Sequence, residues 1–252
     1  MYYYIPKEKD DTELIGLLQK LAEDHPSYGF RKMFYTIRNK GYHFNHKKVY
    51  RVYTQLGLNL KRKAKKRLPS RIKEPLIVPE TINQVWSMDF MSHSLYAGRR
   101  FRVLNVIDDY NREAVWMDID FSMGASYVIE LLSYMIESRG KPLQIRVDNG
   151  PEFISSVFTN YCNKHQIEIK YIQPGKPTQN AFIERFNGSF RREVLNTYIF
   201  YTIKQVKKMT DMWMIKYNHD RPHESLGNVS PIEYLNKKEK KHENGVYHIP
   251  TL

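Results

Sequence analysis

"PTQNAFIERFNGSFRREVLN", residues 177–196, is the stretch on which the reading of this chain turns. It has the periodicity of a helix, yet it sets one acid, Glu184, among Arg185, Arg191 and Arg192. At about 100° of turn per residue, Phe182, Ile183, Phe186, Phe190 and Val194 form one apolar arc that can pack on a sheet. Glu184 and Arg191 lie on the flank of that arc with Asn180 and Asn187, while Arg185 and Arg192 lie further round. Either Glu184 is an ordinary solvated residue, or it holds a cation between the protein and a polyanion.

The sheet is legible upstream. "VWSMDFM" (85–91) alternates Trp86, Met88 and Phe90 against Ser87, Asp89 and Met91, which is the period of a strand. "LYAGRR" makes a turn, and "FRVLNVID" and "EAVWMDID" read as the second and third strands. A helix is expected over about 123–138, broken by Gly140. "PLQIRV" is a short strand ending at Asp148, and "NGPEF" turns into a helix with Pro151 at its start. "IEIKYI" (167–172) is the fifth strand. Three hairpin-linked strands, then helix, strand, helix, strand, helix, predict a mixed five-stranded α/β sheet with flanking helices.

The front of the chain differs in composition. Residues 1–80 hold 18 Lys/Arg against 8 Asp/Glu, so +10 of the net +13 lies there. "DTELIGLLQKLA" (11–22), "SYGFRKMFYTIRNKG" and "HKKVYRVYTQLG" read as three helices, the last capped by Asn45 and closed by Gly57. That order is a helix-turn-helix pattern, which small bundles that bind nothing also share. "KRKAKKRLPSRIK" (61–73) carries eight basic residues in thirteen and reads as a linker able to track a phosphate backbone. The domain boundary falls near 74–80, where Pro75 and Pro79 oppose helix. Expected regions are a DNA-binding segment at 1–60, the linker at 61–79, a catalytic core at 80–200, a helical extension at 201–236 and a disordered tail at 237–252.

Cys162 is the only cysteine, so no internal disulfide and no Cys-based zinc site is possible. One cysteine fits a reducing cytoplasm. There is no apolar run long enough for a membrane span, and "MYYYIPKEKDD" has no signal-peptide apolar region. A cytoplasmic, nucleoid-associated protein without membrane partners is expected.

Three acids occupy places where chain geometry gathers side chains: Asp89 in mid-strand, Asp148 at a strand's C-terminal end and Glu184 on the last core helix. Singly, a strand-end Asp is ordinarily a turn residue and a helical Glu is ordinarily solvated. As a set, three converging carboxylates repel one another unless a cation lies between them. Oxygen donors suit Mg²⁺ or Mn²⁺, and two such ions can serve both the attacking and the leaving oxygen of a phosphodiester. Asp108 and Asp109 rival Asp89 as the first acid, although "DDYNR" reads as a turn. Glu152 is placed to support the first turn of its helix or to stand behind the acids. His219 and His223 are four apart, but Pro222 breaks the helix that would align them, so packing or DNA contact is preferred over a metal site.

"WSMDF", "VDNGPEF" and "PGKPTQNAFIERFNGSFRREVLN", with 35 residues between Asp148 and Glu184, resemble the DDE transposase and retroviral integrase superfamily. The nearest likeness is to insertion-sequence transposases whose integrase-like half is read from a second, B frame. "HPSYGFRKMFYTIRNKGYHFNHKKVYRVYTQLGL" and "YNHDRPHESLGNVSP" resemble that group's N-terminal helix-turn-helix-like segment and C-terminal signature, so residues 20–235 are covered. The resemblance implies an RNase H-like integrase core with Asp89, Asp148 and Glu184 as the metal-binding, catalytic triad. Arg191, seven residues after Glu184, matches the family's DNA-contacting basic position. The implied activity is metal-dependent cleavage at element ends, then strand transfer by the freed 3′-hydroxyl. A DNA-binding regulator that occupies inverted repeats without catalysis is the alternative; an RNase H-like nuclease on RNA–DNA hybrids fits the basic front end less well. Expected partners are double-stranded DNA, further copies of the chain, and the A-frame helix-turn-helix/leucine-zipper protein, to which such B-frame products are often fused. Expected DNA contacts are Arg191, Arg192, Arg185, Asn187 and Lys176, then Lys47, Lys48 and Arg51, and Lys61, Arg62, Lys63, Lys65, Lys66 and Arg67.

Overall fold

The computed structural model describes residues 10–60, 78–173 and 177–244. Lys61, Arg62, Lys63, Lys65, Lys66, Arg67 and Lys176 therefore lie outside the described residues, as does most of the expected linker. The chain forms two compact units, Met1–Leu68 and Pro69–Leu252, so the boundary expected near 74–80 falls a few residues later than the division.

In the first unit, α1 (Thr12–Asp24), α2 (Phe30–Asn39) and α3 (His46–Gln55) enclose a small core. Leu14, Leu18 and Leu21 of α1 meet Met33, Phe34 and Ile37 of α2 and Val49, Val52 and Tyr53 of α3, each helix burying one stripe. Asn45 caps α3 as expected: its side-chain oxygen accepts from the Lys47 N–H at 2.8 Å. Gly57, at φ 67°, follows the helix in the left-handed conformation that favours glycine.

The second unit is built on five strands, β1 (Val85–Ser94), β2 (Arg100–Asp108), β3 (Ala114–Asp120), β4 (Gln144–Val147) and β5 (Glu168–Tyr171). Their order is β3-β2-β1-β4-β5, with β1, β2 and β3 antiparallel neighbours. β4 runs parallel to β1, and β5 parallel to β4. This is the mixed five-stranded sheet predicted from the alternation.

Helices cover both faces. One face packs Trp86, Met88, Leu104, Val106 and Ile145 against α4 (Ala125–Arg139), α5 (Pro151–Ile154) and α6 (Ser156–Lys164). The other buries Met91, Val103 and Ile119 beneath α7 (Ala181–Phe190) and α8 (Ile203–His219). Alternation along β1 explains the division, since Trp86 and Met88 point to one side and Asp89 and Met91 to the other. The segment 201–236, read from sequence as an extension, completes the core instead. Trp213 and Tyr217 of α8 are buried, with ring centroids 5.0 Å from Phe190 and 4.9 Å from Phe186 respectively. α9 (Pro231–Asn244) also corrects the tail, which is helical as far as Asn244.

Residues 177–196 form three kinds of helix. A 3₁₀ turn over Pro177–Asn180 leads into α7, and a π-helical segment follows over Arg191–Leu195. A π turn takes in an extra residue, so a wheel of constant pitch holds up to Phe190 and drifts beyond it.

Candidate active site

Sheet register brings the first two acids together. β1 and β4 pair in parallel through Val85↔Gln144, Trp86↔Ile145 and Ser87↔Arg146. Asp148 directly follows β4, two residues past Arg146 as Asp89 is two past Ser87, and its charge reaches Asp89. Asp148 is held in an Asx turn, its Oδ1 accepting the Gly150 N–H at 3.0 Å. A Cβ on Gly150 would lie 2.9 Å from that oxygen and 3.3 Å from Oε2 of Glu152, so the turn has no room for a side chain.

α7 supplies the third acid and a residue that sequence reasoning assigned wrongly. Glu184 is exposed, whereas Asn187, three residues on, is 9% exposed. The Asn187 Nδ2 donates to Oδ2 of Asp89 at 2.6 Å, and its Oδ1 accepts from Nδ2 of Asn105 at 2.7 Å. Asn105 is the β2 residue directly opposite Asp89, and it is fully buried. With both ends of its amide committed inside the protein, Asn187 is removed from the DNA-contact set and becomes the residue that holds Asp89. The signal for this lay in "RVLNVID", where one polar residue interrupts an apolar strand.

The electrostatics of the set follow from this placement. The Asp89 carboxyl is pushed up from 3.8 to about 6, first by burial, then by the charges of Asp148 and Glu184. Hydrogen bonds from the Phe90 N–H and Asn187 act in the opposite direction. Asp89 thus senses the charges of the other two acids, although among the described residues no three His, Cys, Asp or Glu side chains are close enough to share one ion.

The rival acids have other roles. Asp108 accepts from the N–H groups of Asn83 at 2.8 Å and Tyr110 at 2.9 Å, closing the turn after β2. Asp109 is fully buried and accepts from Ser87 Oγ at 2.7 Å and Arg146 Nη1 at 2.5 Å. It clasps β4 to β1 beneath the site. Glu152, expected to act on its own helix, is instead paired with Arg102 of β2. Burial would raise its pKa, but the hydrogen bond from Arg102, one from its own N–H and the Arg102 charge outweigh that and hold it below the usual value.

Of the expected DNA contacts, Arg191 lies beside His93 of β1, whose pKa is lowered by burial and then by this guanidinium. Arg192 is exposed, and its Nη2 donates to Ser189 Oγ at 3.5 Å. Arg185 is exposed near Arg112 and Tyr217. In the first unit Lys47 is exposed, while Lys48 and Arg51 are tied to Asp11, at 3.3 and 2.7 Å. His219 is exposed and His223 is packed edge-on against Tyr217 at 4.8 Å, so no histidine metal pair forms. Arg221 between them is buried and grips Glu193 at 2.8 Å and Ser189 Oγ at 3.0 Å. This "DRPH" signature is a structural clasp.

Comparison with known proteins agrees with this fold. Models of the integrase core domain match residues 79–177 and 165–231, and a model of an HTH-like domain matches residues 8–66. The integrase core models define the class first: an integrase-core protein, a polynucleotidyl transferase of the DDE type. Relatives place it more closely. The 31.7 kDa protein of insertion element IS407 from Burkholderia multivorans is 36% identical over 94% of this chain and 86% of its own length. The 39.2 kDa protein of IS476 from Xanthomonas euvesicatoria is 37% identical over 95% of this chain and 69% of its own. The transposase InsD of IS2 from Escherichia coli is 24% identical over 92% of this chain and 81% of its own. The chain belongs to the insertion-element transposases of the DDE transposase and integrase superfamily. Among the described residues no helix is long and apolar enough to cross a membrane.

Proposed function

We propose that this transposase uses Asp89, Asp148 and Glu184 to hold two divalent cations, Mg²⁺ or Mn²⁺, and so cuts its element's ends and joins them to target DNA. The observation that carries the reading is the placement of Asp89, held by Asn187 in the sheet within reach of the charges of Asp148 and Glu184, which with burial raise its pKa. Such an acid is destabilised as a free anion and stabilised by a hard cation. All the donors are carboxylate oxygens, which suits magnesium or manganese rather than zinc.

Divalent cations held by Asp89, Asp148 and Glu184 would polarise the phosphodiester and lower the pKa of the attacking oxygen. The protein positions and grips. Asn187 fixes Oδ2 of Asp89, the Gly150 N–H fixes Oδ1 of Asp148, and exposed Glu184 leaves the approach open to a strand. Arg191 and Arg192 offset phosphate charge, while exposed Lys47 on α3 presents a cation for duplex DNA. In cleavage, water forms the new bond to phosphorus as the bond to the 3′-oxygen breaks. In joining, that 3′-hydroxyl attacks a target phosphorus and displaces another 3′-oxygen. Neither step needs ATP or a covalent enzyme intermediate. Two element ends must be held together, which fits more than one copy on the DNA.

The test is strand cleavage of a labelled inverted-repeat end with Mg²⁺ or Mn²⁺, wild type against Glu184→Gln. Metal-dependent nicking lost in the variant supports the triad. Nicking that survives removes Glu184 from the site. Binding without nicking by wild type indicates that the A-frame partner is required.

A further inference from the structure

On the sheet end toward which β1 runs past Asp89, two tyrosines stand in solvent on a fixed base. Tyr96, in the turn between β1 and β2, is 71% exposed, and Tyr201, just before α8, is 60% exposed. Their ring centroids are 5.1 Å apart at 48°. Large aromatic rings are ordinarily covered, and leaving two together in water is unfavourable unless something covers them.

The backbone beneath them is held. The Tyr96 N–H donates to the Phe200 carbonyl at 2.7 Å, and the Phe200 ring is buried in the core. The Leu95 N–H donates to Arg99 O at 3.0 Å, around a turn in which Gly98 takes φ 84°. Thr202 and Gln205 form a reciprocal capping box at the start of α8, and Gln205 Oε1 also accepts the Tyr201 N–H at 2.9 Å. The rings therefore stand on a fixed hairpin and a capped helix.

The two chain segments that carry them hold cations and no acids. Arg100, Lys204 and Lys208 are exposed, and residues 90–107 and 194–208 contain no Asp or Glu. Asp120, opposite Arg102 on β3, directs Oδ1 to the Phe121 N–H. From Asp89 to Tyr96 the chain runs seven residues, at most about 24 Å of extended strand. Arg191 lies beside His93 along the same path.

Resting on the function proposed above, we infer that Tyr96 and Tyr201 form a stacking platform for unpaired bases of the DNA strand that runs on from the reacting phosphodiester. Cations without acids select a polyanion, and exposed rings select bases that are not shut inside a duplex. A duplex would engage the cations and leave the rings unused. A second protein copy would bring the same Arg100, Lys204 and Lys208 against these cations.

The test uses the full chain carrying Glu184→Gln, so that no cleavage intervenes. Fluorescence anisotropy compares its affinity for a blunt inverted-repeat duplex and for the same duplex with a single-stranded flank. The triple variant with Tyr96→Ala and Tyr201→Ala is expected to lose about 10- to 100-fold on the flanked DNA and little on the blunt one. Tyr96→Phe with Tyr201→Phe is expected to retain binding, because the ring is what stacks. Equal losses on both DNAs would reduce the patch to a backbone contact and overturn the inference. So would unchanged flank binding, or a fall in oligomeric state without loss of flank binding. Because this measurement needs no nicking, an inactive wild-type protein that still prefers flanked DNA would fail the proposed reaction and leave the platform standing.

Discussion

Asn187 donates a 2.6 Å hydrogen bond to Asp89, across 98 residues of sequence, and is itself oriented by Asn105 directly opposite that acid. Asn187→Ala removes this tether. It also removes one of the influences that lower the Asp89 pKa, so the carboxyl becomes harder to ionise. Losses of about 10- to 100-fold are expected in Mn²⁺ affinity and in nicking, as for other residues that orient metal ligands. Calorimetric Mn²⁺ titration beside a cleavage assay checks this, and unchanged metal affinity would reduce Asn187 to packing.

The same carboxyl sets a pH dependence. Its folded pKa of about 6 lies above the unfolded value of 3.8, so the metal-free protein keeps this contribution below about pH 4 and loses it as pH rises through about 6. About two pKa units correspond to about 2–3 kcal/mol. Asp89→Asn should flatten that fall in a series of metal-free thermal melts. Metal binding has the opposite sign, because below about pH 6 a proton competes for Asp89 and apparent affinity drops. Metal affinity independent of pH between 5 and 7 would contradict the assignment.

Gly150 gives a test aimed at Asp148, with Glu152 the next side chain in the way. Its backbone, at φ −62° and ψ 147°, suits any residue, so Gly150→Ala introduces no backbone strain. The new methyl group would sit 2.9 Å from Oδ1 of Asp148, forcing the carboxylate out of its turn. A melting temperature near wild type with at least about a 10-fold loss of nicking is expected. Full activity in this variant would show that the position of Asp148 is not critical.

Arg221 and Glu193, each with a side chain 8% exposed, join α8's end to the π segment after α7. Arg221→Ala leaves a buried carboxylate without its guanidinium and should cost about 3–5 kcal/mol. Arg221→Lys keeps the charge but loses the fork that reaches Glu193 and Ser189 together, so an intermediate loss is expected. Urea unfolding midpoints measure both. A loss of nicking in either variant without loss of stability would instead place this signature at the DNA.

Local periodicity determined much of this protein from sequence alone. Alternation in "VWSMDFM" placed β1 and put Asp89 on the face opposite Trp86 and Met88, and the three front helices announced themselves by their apolar stripes, the third also by its Asn45 cap. These readings succeed because side-chain direction repeats every two residues in a strand and every 3.6 in a helix, whatever the rest of the chain does. Partnership across the sheet does not repeat. That Asn187 serves Asp89 rather than DNA, that Glu152 answers to Arg102, and that Asp109 clasps Arg146 beneath the site all depend on which strand lies beside which and in what register. The burial of α8 depends likewise on the apolar face that α7 leaves uncovered. Such contacts join residues tens of positions apart, and only the assembled sheet determines them.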